Sequence, residues 1–194
     1  MKNVFLFAVL VALAVAIVPQ ATARQHSAER DNAARASAAA AARLVEARMS
    51  ARLLRHIVAR RDETWRWQRV MLRPRTPFNN SARRVQSLRY RKWVFVLWHR
   101  RAVAAKRKAL NPPHKAQWLC IHRYEGSWTD SGSPYYGGLQ MDVGFQQTYG
   151  LVLYRAKGTA DHWTPLEQMW VAERAYSTRG FWPWPNTARY CGLL

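Results

Sequence analysis

Residues 118–140 read WLCIHRYEGSWTDSGSPYYGGLQ. The first eight residues continue a helix that the spacing starts at about His114 and ends at Glu125, with Gly126 as its stop. Residues 129–134, TDSGSP, are nearly all turn formers. Tyr135 to Met141 then reads as a short strand, so a small hairpin is expected after a helix. The stretch holds one carboxylate at the helix end, Glu125, between Tyr124 and Trp128.

Downstream, Gly144 to Tyr149 reads as a further helical turn. Thr164-Pro165-Leu166-Glu167 carries a strong local signal. Thr caps, Pro suits the first helical position, and Glu three residues past Thr closes a capping box. The helix it opens runs through EQMWVAERAYSTR to Gly180, with Leu166, Met169, Trp170 and Tyr176 on an apolar face. Phe181 to Pro185, FWPWP, is a stiff aromatic tail leading to Cys191. The fold class expected for this part is α+β, mainly helical, with one small hairpin.

Upstream, Asn111-Pro112-Pro113 ends a helix and marks the expected boundary of a C-terminal domain, residues 111–194. That domain has a net charge of +1, whereas residues 24–110 have +18 of the chain's total of +20. Residues 24–61 are rich in Ala and Arg and free of Gly and Pro, so the basic arm, residues 24–110, is expected to be helical or partly disordered. Leu44, Val45, Met49, Leu53, Leu54 and Ile57 form a narrow apolar stripe along it. The stripe fits an amphipathic helix on an anionic surface and equally a solvated spacer. Residues 62–92 are more broken, because Arg73-Pro74-Arg75-Thr76-Pro77 stops a helix. Here Trp65, Trp67, Tyr90 and Trp93 stand among arginines, but no helix-turn-helix, zinc-finger or RNA-binding signature is present. So the arm as a whole calls for a polyanionic partner, an anionic wall polymer or a membrane surface.

Residues 1–23 have the layout of a secretory signal: Lys2, an apolar run from Val4 to Val18, and the small-x-small site Ala21-Thr22-Ala23. The expected location is therefore outside the cell or on its wall, which weighs against nucleic acid as the arm's partner. Retention of the segment as an anchor is the alternative. Export also makes the environment oxidising, so Cys120 and Cys191 are expected to form one disulfide rather than two free thiols. Two cysteines without paired histidines make a poor zinc site, and neither metal nor cofactor is expected.

Breaking a glycosidic bond requires protonation of a poor leaving group, and so an acid that keeps its proton near neutrality. A carboxyl at a helix C-terminus faces the negative end of the dipole, and burial between Tyr124 and Trp128 would work the same way. Glu125 is thus the candidate general acid; an ordinary surface glutamate at a helix end is the plainer reading. His122, one turn away, and His162 and Trp163 are read as packing residues.

The stretch and its surroundings resemble a known family. Trp118, Glu125-Gly126, Trp128, Tyr135-Tyr136-Gly137-Gly138-Leu139-Gln140, Glu167-Gln168, Val171-Ala172-Glu173-Arg174, Trp184-Pro185 and Cys191 occur in the order seen in the resuscitation-promoting factors. These are transglycosylase-like domains related to goose-type lysozymes and lytic transglycosylases. The resemblance covers residues 115–194 and leaves 24–110 out. It implies a lysozyme-like fold with a glycan groove, Glu125 as the catalytic acid, Gly138, Gln140 and Trp184 at substrate-lining positions, and Asp142 as an acidic group near substrate. It departs from the family at three points. Tyr124 stands where the family has Cys, with Cys120 one turn back; Gly126 replaces Ser or Ala; and the segment from Trp184 to Cys191 is longer. The last change would let the tail reach the displaced cysteine. The expected activity is cleavage of the β-1,4 glycan of peptidoglycan, by lytic transglycosylation or lysozyme-type hydrolysis. A non-catalytic wall-binding protein on the same scaffold is the alternative.

Overall fold

A computed structural model describes residues 4–85 and 87–194; for residues 4–23 and Ala82 it describes the backbone alone. The segment read as an export signal, residues 1–23, therefore has its side chains outside the described residues. No helix among the described residues is long and apolar enough to cross a membrane.

Helix takes up 73% of the chain, and the single sheet is a two-stranded antiparallel hairpin, so the class is α+β, mainly helical. Helix α1 spans Val4–Val70, α2 Ser81–Arg84, α3 Leu88–Leu110, and α4 Lys115–Glu125. Strands β1 (Tyr135–Tyr136) and β2 (Met141–Asp142) follow. Helix α5 is Val143–Lys157, a 3-10 turn covers Ala160–His162, α6 is Pro165–Arg179, and α7 is Pro185–Tyr190. The chain divides into two compact units, Met1–Arg52 and Leu53–Leu194.

In the first unit the described side chains lie along one helix and are nearly all exposed, including Leu44, Val45 and Met49 of the predicted stripe. From Arg24 on, good helix formers without Gly or Pro account for its continuity. Local bonds such as Ser27 Oγ to the Arg24 carbonyl, 2.8 Å, support it.

The second unit contains three apolar clusters. Ile57, Val94 and Trp98 join the end of α1 to α3, with Phe78, Tyr90 and Phe95 against them. Pro74 and Pro77 lie in the loop after Val70, where the Trp65 indole donates to the Thr76 carbonyl at 2.9 Å. Met71, Ala109 and Trp170 form a second cluster, and the Trp170 indole donates to the Ala109 carbonyl, 2.9 Å. That bond ties the end of α3 to α6. Asn111-Pro112-Pro113 therefore separates two helices inside one compact unit, whose border lies at Leu53. The largest cluster surrounds α6, with Trp118, Ile121, Leu139, Met141, Phe145, Val171, Ala172 and Trp184 buried together.

The capping box at Thr164 is present in full, and α6 ends at Gly180 as its sequence indicates. Three local expectations change. Tyr135–Met141 is not one strand but a whole hairpin: Gly137 and Gln140 have φ of 76° and 45°, which turns the chain between two short strands. The turn expected at 144–149 is the start of the longer α5, because Asp142 caps it by accepting from the Phe145 amide at 2.7 Å. The tail ends in a helix, α7, which Pro185 opens.

Cys120 and Cys191 are disulfide-bonded, with Cα atoms 6.0 Å apart and a sequence separation of 71. The bond pins α7 to α4. Loop closure of this length constrains the unfolded chain by about 4 kcal/mol. Cys191→Ser should accordingly unfold at a much lower denaturant midpoint, and the wild type should fall to that midpoint when reduced. Equal midpoints with and without reductant would contradict this.

Candidate active site

Glu125 is the last residue of α4, half-buried, and its Oε1 accepts a hydrogen bond from Thr187 Oγ1 at 2.7 Å. Thr187 lies on α7, 8% exposed, so the partner comes from the far end of the chain. The disulfide that joins α4 to the residue after α7 explains why the two meet. Burial between Tyr124 and Trp128 is not what forms here. Successive helical residues point about 100° apart, and the exposed Tyr124 ring lies against Tyr190, 5.6 Å away. Trp128 stacks on His122 instead, at 3.9 Å and 22°.

Gly126 has φ of 144°, in the region that favours glycine. A Cβ there would lie 3.3 Å from Asp130 Oδ2 and 3.6 Å from Gln140 Nε2. Glycine in place of Ser or Ala thus lets a carboxylate and an amide close in on the residue next to Glu125. Asp130 holds that position through several bonds. Its Oδ1 accepts from the Gly132 amide (3.0 Å), its Oδ2 from Gln140 Nε2 (2.8 Å), and its carbonyl from the Gly137 amide (2.7 Å). Half-buried Asp130 was missed in the sequence because it sits among turn formers, where an aspartate is expected for backbone reasons alone.

The residues expected to line substrate separate into two groups. Gln140 is half-buried beside Asp130 and Gly126, the residue that follows Glu125. Asp142 is exposed at the hairpin end and acts as the cap of α5. Gly138 is buried, and both its backbone polar groups are engaged: its amide donates to Gln168 Oε1 (2.8 Å), and its carbonyl pairs with His122 Nδ1 (3.0 Å). A Cβ there would meet His122 and Trp128 at 2.6 and 2.7 Å, so the close packing of these rings on the hairpin turn requires glycine. Trp184 is 4% exposed, with its indole donating to the Leu139 carbonyl at 2.6 Å. It is a core residue that fixes the hairpin to the start of α7.

Gln168, which the sequence places in a motif without a role, is the support of this region. It is fully buried, and its Nε2 donates to the carbonyls of Trp128, Ala160 and Trp163 at 2.8, 2.8 and 3.1 Å. Together with the Gly138 contact, this one side chain holds the loop after Glu125, the hairpin turn and the 3-10 turn. His122 and Trp163 are packing residues, as expected: the first is stacked and bonded, and the second is buried with its indole on the Gly158 carbonyl.

The other carboxylates of α6 are committed to the scaffold. Glu173 accepts from the Trp118 indole (2.8 Å) and the His114 amide (2.7 Å), and its second oxygen pairs with His114 Nδ1 (3.0 Å). Glu167 binds Lys157 and closes the capping box. Glu125 has Thr187 as its one hydrogen-bond partner among the described residues, which leaves Oε2 open for chemistry. No cluster of His, Cys, Asp and Glu suited to a metal ion occurs among the described residues. No family model, curated protein or solved structure matches the chain.

Proposed function

We propose that the second unit is a peptidoglycan-cleaving enzyme with Glu125 as its general acid and then its base, working as a lytic transglycosylase on a lysozyme-like scaffold. The observation that carries the reading is the state of Glu125. It ends a helix, accepts from a single hydroxyl, keeps its other oxygen without a partner among the described residues, and precedes Gly126, which Asp130 and Gln140 approach. An acid that must pass a proton to a leaving oxygen and take one back needs such a free oxygen. Thr187 positions it, Gln140 has its side-chain N–H groups on Asp130 and the Gly137 carbonyl and so offers a sugar its Oε1, and Asp142 is left at the rim. In the transglycosylase route the substrate's own hydroxyl closes on the sugar, so a second catalytic carboxylate is not required. Asp130 and Asp142 then set local charge and position substrate. The order of motifs from Trp118 to Cys191 supports the same reading.

The enzyme would act outside the cell, with its strongly basic segment bound to an anionic wall polymer or lipid surface. Purified peptidoglycan incubated with the protein should release soluble fragments. Binding without release would favour the wall-binding alternative. Binding of the full chain to walls should weaken steeply with salt, because counterion release and screening govern polycation contacts. Salt-independent binding would show that the arm is a spacer.

A further inference from the structure

We infer that the outer face of α3 is a docking surface for an anionic phospholipid bilayer. This deepens the polyanion reading of the basic segment and is independent of Glu125. The helix has two faces. Val94, Trp98, Ala102 and Ala109 are buried. Trp93, Val96, Arg100, Val103 and Arg107 recur at alternating steps of three and four and line the opposite face. Trp93 is 61% exposed, Val96 45% and Val103 54%, so three apolar side chains stand in solvent on one stripe. A shallow depression between its turns is lined by His99, Arg100, Val103, Ala104 and Arg107.

Charge selects the occupant. Helix α3 carries eight Lys and Arg and no acid, and no Asp or Glu occurs anywhere from Thr64 to Tyr124. Such a face is drawn to a negative surface. The valines decide between the negative surfaces, since Val96 and Val103 gain nothing from a phosphate or a base and gain only by leaving water. A bilayer interface takes both halves of the stripe: arginines at the headgroups, a tryptophan at the boundary, valines toward the acyl chains. A nucleic acid or a wall polymer would use the charges alone.

The test uses the full chain with vesicles of phosphatidylcholine containing about one third phosphatidylglycerol, beside duplex DNA as a second polyanion. Co-sedimentation of wild type with these vesicles should persist in part at high salt. The triple variant Trp93→Ser, Val96→Ser, Val103→Ser removes no charge. It should bind the vesicles at least about tenfold more weakly, lose the salt-resistant fraction, and bind DNA as before. The substituted side chains are exposed, so the circular dichroism melt should not move; if it does, Trp93→Ser alone should show a smaller loss in the same direction. Vesicle binding equal to wild type, absence of binding by the wild type, or an equal loss on DNA would each overturn the proposal. None of these results would alter cleavage of soluble glycan, by which the role of Glu125 is judged.

Discussion

Glu125→Gln is expected to lower glycan cleavage by roughly 10²–10⁴-fold, the usual contribution of a positioned general acid–base group. The substitution keeps the shape and an oxygen that can still accept from Thr187, so stability should be nearly unchanged. Thr187→Val removes only the orienting hydroxyl. It should cost about tenfold in rate, equivalent to about 1.4 kcal/mol, with Glu125 still present. Rates on a soluble glycan oligomer, measured beside thermal melts, check both. Full activity in Glu125→Gln would remove the enzyme reading.

Gln168→Leu should be among the most destabilising single substitutions in the second unit. The side chain is fully buried and serves four backbone groups, the Gly138 amide and the carbonyls of Trp128, Ala160 and Trp163. Leucine fills similar space but removes the partner of the Gly138 amide and of the Trp128 and Trp163 carbonyls, while the Ala160 carbonyl still accepts from the Trp163 amide, and a buried unsatisfied group costs about 1–3 kcal/mol. Because part of each carbonyl's capacity can be recovered by relaxation, the expected loss is about 3–5 kcal/mol rather than the full sum. Denaturant unfolding followed by tryptophan fluorescence measures it. A loss below about 1 kcal/mol, the net value of one ordinary hydrogen bond, would show that the loop, the hairpin and the 3-10 turn are held by other means.

What the sequence makes legible is local. The capping box at Thr164 lies within four residues and forms as written. The helix stop at Gly126 and the small hairpin follow from residue type, although the glycine pair belongs to the turn rather than to a strand. The disulfide matches what the cysteine count and an expected oxidising compartment imply. What escapes is long-range. Thr187 is 62 positions from Glu125, and nothing in a threonine two residues past a proline announces a carboxylate partner. Gln168 reads as a polar helix residue until its neighbours are known. Asp130 is hidden among residues that any turn would use. The boundary at Asn111 is a true helix break, but Trp170 binds Ala109 across it, so residues 53–110 belong with the compact unit that follows.

The arrangement around Glu125 also bears on the two chemical routes. Asp142 already serves the Phe145 amide, and asparagine can take over that cap, so Asp142→Asn should keep a measurable fraction of activity. A lysozyme-type hydrolase would instead depend on a second carboxylate, Asp142 or Asp130, as strongly as on Glu125.

The most direct measurement is digestion of purified peptidoglycan followed by mass spectrometry of the fragment ends. Acid–base action of Glu125 with ring closure by the substrate's own hydroxyl predicts fragments ending in 1,6-anhydromuramic acid, which disappear with Glu125→Gln. Fragments bearing reducing ends alone, or no fragments from the wild-type protein, would contradict it.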